Sequence, residues 1–163
     1  MKGSNIGIHN KIQPQELFLS SLYNEDTFYE QFVTNLQKAT KEVIIESPYI
    51  TVKRLNTLLS ILTQLKSKHI TMYIITRDPS EHDKTMAIQS ELRIQWFENI
   101  GIQVLLEDRG HHRKLAMIDR EIMWEGSLNI LSQNNTREIM RRLHSPSLTK
   151  HMFNFLNYDK YFG

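Results

Sequence analysis

Between residues 41 and 107 the chain alternates short apolar runs with long helical repeats, and this alternation restricts the fold more than any other feature. Residues 41–48 read as a buried strand, apolar at its centre through Val43, Ile44 and Ile45 and stopped by Pro48. Residues 51–68 then place Leu55, Leu58, Leu59, Leu62 and Leu65 at helical spacing. A second strand is expected over 70–76, a polar turn from Arg77 to Glu81, a helix over 84–99 closed by Gly101, and a third strand over 102–107. Such a series buries its apolar faces by covering a sheet with helices, so the fold class is α/β.

The flanks extend this pattern. Asn24, Asp26 and Thr27 are cap candidates for a helix reaching about Thr40, with Phe28, Phe32, Val33 and Leu36 on one stripe. Downstream, 114–119 and 122–126 read as two short strands around a turn at Asp119-Arg120-Glu121, and 137–143 as another strand. Ser145 and Pro146 open a last amphipathic helix carrying Phe153, Leu156 and Tyr161. The hairpin-like pair makes the expected architecture an α-β-α sandwich with a mixed central sheet. Pro14 interrupts the start, so 1–20 read as an N-terminal arm and 21–163 as a single domain, in keeping with a length of 163 residues.

Within this frame one stretch carries chemistry. His112, Lys114, Asp119, Gly126, Ser127 and Asn129 follow the spacing H-x-K-x4-D-x6-G-S-x-N, once in the chain. At average composition a chance match is on the order of 1 in 10^6. The set comprises a nucleophile or proton carrier, a cation, a carboxylate and small hydrogen-bonding groups. It suits attack on a phosphodiester without a metal: neutral imidazole attacks, imidazolium donates, and Lys114, Ser127 and Asn129 hold phosphate oxygens. Side chains alternate faces along a strand. His112 and Lys114 therefore share a face, Ser127 and Asn129 share parity on the neighbouring run, and Asp119 points away, where it fixes local structure. One histidine cannot be attacker and in-line acid at once, because those roles lie on opposite sides of the phosphorus. A single copy is half a site.

At these residues, over roughly 111–142, the chain resembles the phospholipase D superfamily, whose signature is this histidine-lysine-aspartate motif with its trailing glycine-serine and asparagine. The resemblance implies a phospholipase D-like α-β-α fold and two motifs meeting across a two-fold axis, here supplied by a homodimer. It also implies that His112 of one copy forms a phosphohistidine while the other copy's His112 serves as acid, then base. In the single-motif nucleases of this family a glutamate beyond the asparagine orients the histidine; Glu138 is the candidate, and Glu125 is assigned to the turn instead. Glu46-Ser47-Pro48-Tyr49-Ile50 agrees with the family at the level of layout.

Other residues have plainer readings. His111 is a structural neighbour on the opposite face, and Trp124 is strand core. His82 with Asp78 and Asp83 belongs to a solvated loop rather than a metal cluster. Arg77, Arg109, Arg113 and Arg142 are candidate nucleic-acid contacts, Arg142 because it shares parity with Glu138, and Arg141 is a plain strand end.

Bulk properties bound the function. With 40% hydrophobic and 23% charged residues the chain is globular, and zero cysteines exclude disulfides, thiolate zinc sites and cysteine nucleophiles. A net charge of only +2 requires the basic residues of a nuclease to cluster near its site. The first residues show no apolar leader, and no stretch approaches the roughly 18 apolar residues of a membrane span, so a cytoplasmic protein is expected. The leading expectation is a metal-independent endonuclease, acting on DNA before RNA, with no metal and no cofactor. The alternatives are a lipid phosphodiesterase or phosphatidyl transferase, and a nucleic-acid-binding module of little activity.

Overall fold

A computed structural model describes residues 20–108, 110–133 and 135–162. The elements in chain order are β1 (Ser20–Asn24), α1 (Phe28–Gln37), β2 (Glu42–Glu46), α2 (Val52–Ser67), β3 (Thr71–Arg77), a 3-10 turn (Pro79–Glu81), α3 (Lys84–Asn99), β4 (Gln103–Glu107), β5 (Leu115–Ile118), β6 (Ile122–Gly126), β7 (Ile139–His144), α4 (Pro146–Phe155) and α5 (Asp159–Phe162). They build a mixed seven-stranded sheet in the order β1-β7-β6-β5-β2-β3-β4. β2, β3 and β4 run parallel, as strands joined through helices must, and the other pairs are antiparallel.

Both faces of the central strands are buried, which is why their sequences read as nearly continuous apolar runs. Val43 and Ile45 of β2, with Ala116 and Ile118 of β5, meet α1, α2 and α3 through Phe32, Leu58, Leu62 and Phe97. The intervening Ile44, Leu115 and Met117 point to the opposite layer, where Phe153, Tyr158 and Phe162 cover them. Trp124 is fully buried in the first layer, edge-on to Phe28 at 5.1 Å between ring centres. Among the described residues no helix is long and apolar enough to cross a membrane.

Helices α2 and α3 fall within the ranges expected over 51–68 and 84–99. Thr51 caps α2 by accepting from the Arg54 amide, and Asp83 caps α3 by accepting from Thr85 and Met86. Helix α1 starts only at Phe28, because the Asn24 side chain accepts from the amides of Asp26 and Thr27 and makes a turn there instead. β1 was not expected. SSLYN is too short and polar to announce a strand, yet it pairs antiparallel with β7 from Ser20↔Leu143 to Asn24↔Ile139. Ser20, taken as the end of the arm, thus begins the sheet, and residues 1–19 lie outside the described residues.

Candidate active site

β5 and β6 are antiparallel neighbours, with Leu115 opposite Glu125. His112 and Lys114 immediately precede β5, and Ser127 and Asn129 immediately follow β6, so pairing brings both halves of the motif to one end of the sheet. The Gly126 amide donates to the Lys114 carbonyl at 3.3 Å there. β2 ends at the same place, because Glu46 lies opposite Leu115. This is the carboxyl end of the parallel strands, where loops of α/β sheets gather functional groups.

Lys114 is half-buried, and its Nζ lies 2.7 Å from Nδ1 of the exposed His112 and 2.7 Å from the His112 carbonyl oxygen. A protonated lysine only donates, so Nδ1 accepts and the ring proton resides on Nε2. Burial lowers the Lys114 pKa; the nearby Glu138 carboxylate opposes that shift and Arg77 adds to it.

Ser127 donates to one oxygen of Glu138, and its Oγ accepts from the Ile139 amide at 3.1 Å. The other Glu138 oxygen accepts from the Thr136 hydroxyl at 2.6 Å, and the Glu138 amide donates to Glu25 at 2.8 Å. The group on Nδ1 of His112 is therefore Lys114, whereas the family resemblance gave that place to Glu138. Gly126 is required by close approach: a Cβ there would stand 2.1 Å from the Ile139 carbonyl oxygen.

Asn129 does not join Lys114 and Ser127 on one flat patch, because the strand ends at Gly126 and the backbone turns. It lines a cleft of about 350 Å³ with Arg54, Gln133 and Glu138, and its Oδ1 is buried without a partner. Lys114 and Ser127 line a second, wider groove of about 660 Å³ with Glu125, Arg141 and the apolar Leu22, Ile139 and Phe155. The Ser127–Glu138 bond joins the two.

Asp119 faces away from this end. Its carboxylate accepts from the amides of Thr40, Lys41 and Glu42 at 2.8–3.0 Å and from the Thr40 hydroxyl. Asp119 and Arg120 both adopt positive φ, at 55° and 57°, a backbone form that L residues enter at a cost. The four bonds hold that turn, and with it the end of β5 against the start of β2.

Arg77, Arg113 and Arg142 are committed to the protein. Arg142 donates to Asn35 of α1 at 2.7 Å, so it lies under a helix and not at the site, contrary to the parity argument. Arg77 donates to the His111 carbonyl at 3.0 Å and to the Tyr49 hydroxyl at 3.1 Å. Arg113 donates to Glu46 at 2.8 Å, and Arg109 lies outside the described residues. Arg141, read as a plain strand end, is the arginine of β7 that lines the groove. Asp78 caps the 3-10 turn and Asp83 caps α3, which accounts for both carboxylates beside His82.

Sequence reasoning gave no role to Glu46. It is 0% exposed and takes bonds from Arg113 and from the Tyr158 hydroxyl, with His111 Nε2 3.5 Å away. Burial, then Arg113, hold the His111 pKa down at about 4, with the Glu107 carboxylate opposing them. The one hint in the sequence was a carboxylate directly after the apolar run Val43-Ile44-Ile45, shortly before Pro48.

No curated protein matches the chain in sequence. Among solved structures, Nuc from Salmonella typhimurium, described as a phospholipase D family member, superimposes with a TM-score of 0.66 at 14% identity, over 83% of this chain and 91% of its own. NucT from Helicobacter pylori gives 0.65 at 19% identity, over 85% and 93%. A phosphatidylserine synthase from Haemophilus influenzae gives 0.58 at 15%, over 80% of this chain and 35% of the larger protein. These likenesses are of fold. The family model described as "Cardiolipin synthase, PLD-like domain" matches residues 32–160, well over half of the chain, and the chain belongs to that phospholipase D-like family.

Proposed function

We propose that the chain is a metal-independent phosphodiesterase that cleaves nucleic acid, DNA before RNA, as a homodimer in which two copies of His112 complete one active site. The observation carrying this reading is the single His112–Lys114–Ser127 set, whose Lys114 and Ser127 line a groove with Leu22 65%, Ile139 63% and Phe155 74% exposed. A half-site bordered by bare apolar side chains suits closure by a second copy.

In the proposed reaction His112 Nε2 forms a bond to phosphorus as the phosphorus–oxygen bond to the leaving group breaks. The leaving oxygen takes a proton from the second copy's imidazolium. That imidazole then removes a proton from water, which attacks phosphorus and releases His112 Nε2. Attack needs the lone pair on Nε2, and hence the ring proton on Nδ1. An incoming phosphate draws Lys114 off Nδ1, and Glu138, already within electrostatic reach of Lys114, is the carboxylate that can then accept from Nδ1. Ser127 and Asn129 donate to the phosphate oxygens.

The same apolar groove favours a second reading, a lipid phosphodiesterase or phosphatidyl transferase whose acyl chains lie on Phe155 and Ile139. Incubation with plasmid DNA, single strands and phosphatidylcholine vesicles, all in EDTA, separates the two. Nucleic-acid cleavage that His112→Ala abolishes supports the first; lipid turnover alone replaces it with the second.

A further inference from the structure

Resting on that phosphodiesterase reading, we infer that Glu46 is the positioning residue of the site, setting the register of the loop that presents His112 and Lys114. The carboxylate is wholly buried, and removing such a charge from water costs several kcal/mol unless partners compensate. A buried ion pair is a poor source of stability compared with apolar packing, so a task beyond stability is implied. Its cationic partner is Arg113, the residue between His112 and Lys114. Arg113 is half exposed along its side chain, yet its Nε reaches down to Glu46 at 2.8 Å.

Successive side chains in an extended segment point to opposite faces, so a one-residue slip would exchange His112 and Lys114 for Arg113. Anchoring Arg113 on a buried carboxylate forbids that slip. The residue before it is held as well: the His111 ring is buried beside Glu46, and Arg77 grips the His111 carbonyl.

The segment that Glu46 begins also holds the other half of the motif. The next residue, Ser47, accepts from the Leu131 amide at 3.1 Å, and Thr51 exchanges bonds with the Leu131 carbonyl and the Gln133 amide. Residues 46–51 thus lie between the His112 loop and the Asn129 loop and are bonded to both. Glu46 is the only member of this clamp that carries a charge, and its bonds run to the loop with the nucleophile.

The test is a double-mutant cycle of Glu46→Gln and Arg113→Met, read as turnover of bis(p-nitrophenyl) phosphate in EDTA and as the nitrogen-15 NMR signals of the His112 ring. For Glu46→Gln the expected result is kcat lower by about 10- to 100-fold with KM within about twofold and changed His112 signals. Arg113→Met should do the same, and the double variant should be no worse than either single one. A folded Glu46→Gln with unchanged kcat overturns the inference, as do fully additive effects. If Glu46→Gln does not fold, the exposed Arg113→Met decides alone, and full kcat in that variant overturns it. A wild-type protein inert on every phosphodiester refutes the functional reading instead. The NMR arm still stands in that case: unaltered His112 signals in Glu46→Gln would refute the positioning role separately.

Discussion

Lys114 Nζ donates both to Nδ1 and to the carbonyl oxygen of His112, each at 2.7 Å, so the motif's cation is bonded to the motif's own histidine. A charged donor on Nδ1 leaves the ring proton on Nε2, the tautomer without the Nε2 lone pair that the proposed attack needs. Phosphate or tungstate should release it. Titration with either anion is expected to move the His112 nitrogen-15 signals toward the Nδ1-protonated form, and Lys114→Met should abolish that response. On a phosphodiester substrate Lys114→Met should lose about 10^2- to 10^3-fold in kcat, the usual scale for removing one charge-stabilising donor. An unchanged tautomer at saturating anion would sink this account.

The groove beside Lys114 predicts a dimer contact. Phe155→Glu and Ile139→Glu place charges on side chains that are mostly exposed in the single chain, so folding should be little affected. Sedimentation is expected to show half the wild-type mass, with activity reduced by more than about 100-fold. Full activity from a monomeric variant would contradict the shared site.

Asp119 should matter to stability and not to chemistry. Asp119→Ala strands the amides of Thr40, Lys41 and Glu42 and places alanine at φ 55°. A loss of about 1–3 kcal/mol in urea unfolding is expected. Asp119→Asn, which tolerates positive φ and keeps one acceptor oxygen, should lose less. Turnover per folded molecule should remain near wild type in both. A large kcat defect in a fully folded Asp119→Asn would refute the structural assignment.

At Gly126 the constraint is space. An alanine Cβ would meet the Ile139 carbonyl oxygen at 2.1 Å and the Met140 Cα at 2.9 Å, so β6 and β7 must separate. Overpacking of that kind typically costs about 1–3 kcal/mol. Because Ser127 bonds Ile139 directly, the same shift should lower activity below what unfolding alone explains. Circular dichroism melts with activity measured well below the midpoint separate the two effects.

His111 gives the fold an acid sensitivity. Its pKa is held at about 4 in the folded chain against 6.5 for the free group, burial being the main cause. Between those values the unfolded chain binds the extra proton and the folded one does not, so stability falls as pH drops from 6.5 toward 4 and is fully retained above 6.5. Melting temperatures should decline across that window, and His111→Phe should decline less. Equal slopes in both proteins would assign the acid lability elsewhere.

How far the sequence reached differs from residue to residue. Helices α2 and α3 were legible because leucine spacing and a closing glycine at Gly101 are local signals. β1 was not, because five residues with two serines form a strand only when β7 lies alongside. Arg142 shows the limit of counting parity. It lies opposite Trp124, which packs under α1, and so points to Asn35, while Arg141 pairs with Glu125 and lines the groove.

The sequence by itself determined the alternation that makes an α/β sheet, the six motif residues and their single occurrence. Those are properties of spacing and side-chain chemistry along the chain. Only the tertiary structure decided that Lys114 lies on His112, that Glu138 holds Ser127, and that Glu46 reaches Arg113 across 67 positions of sequence. Such partnerships depend on strand register, and β2 against β5 sets Glu46 opposite Leu115. Register follows from burying both faces of the sheet at once, a condition imposed by the packed layers and not by any local run of residues.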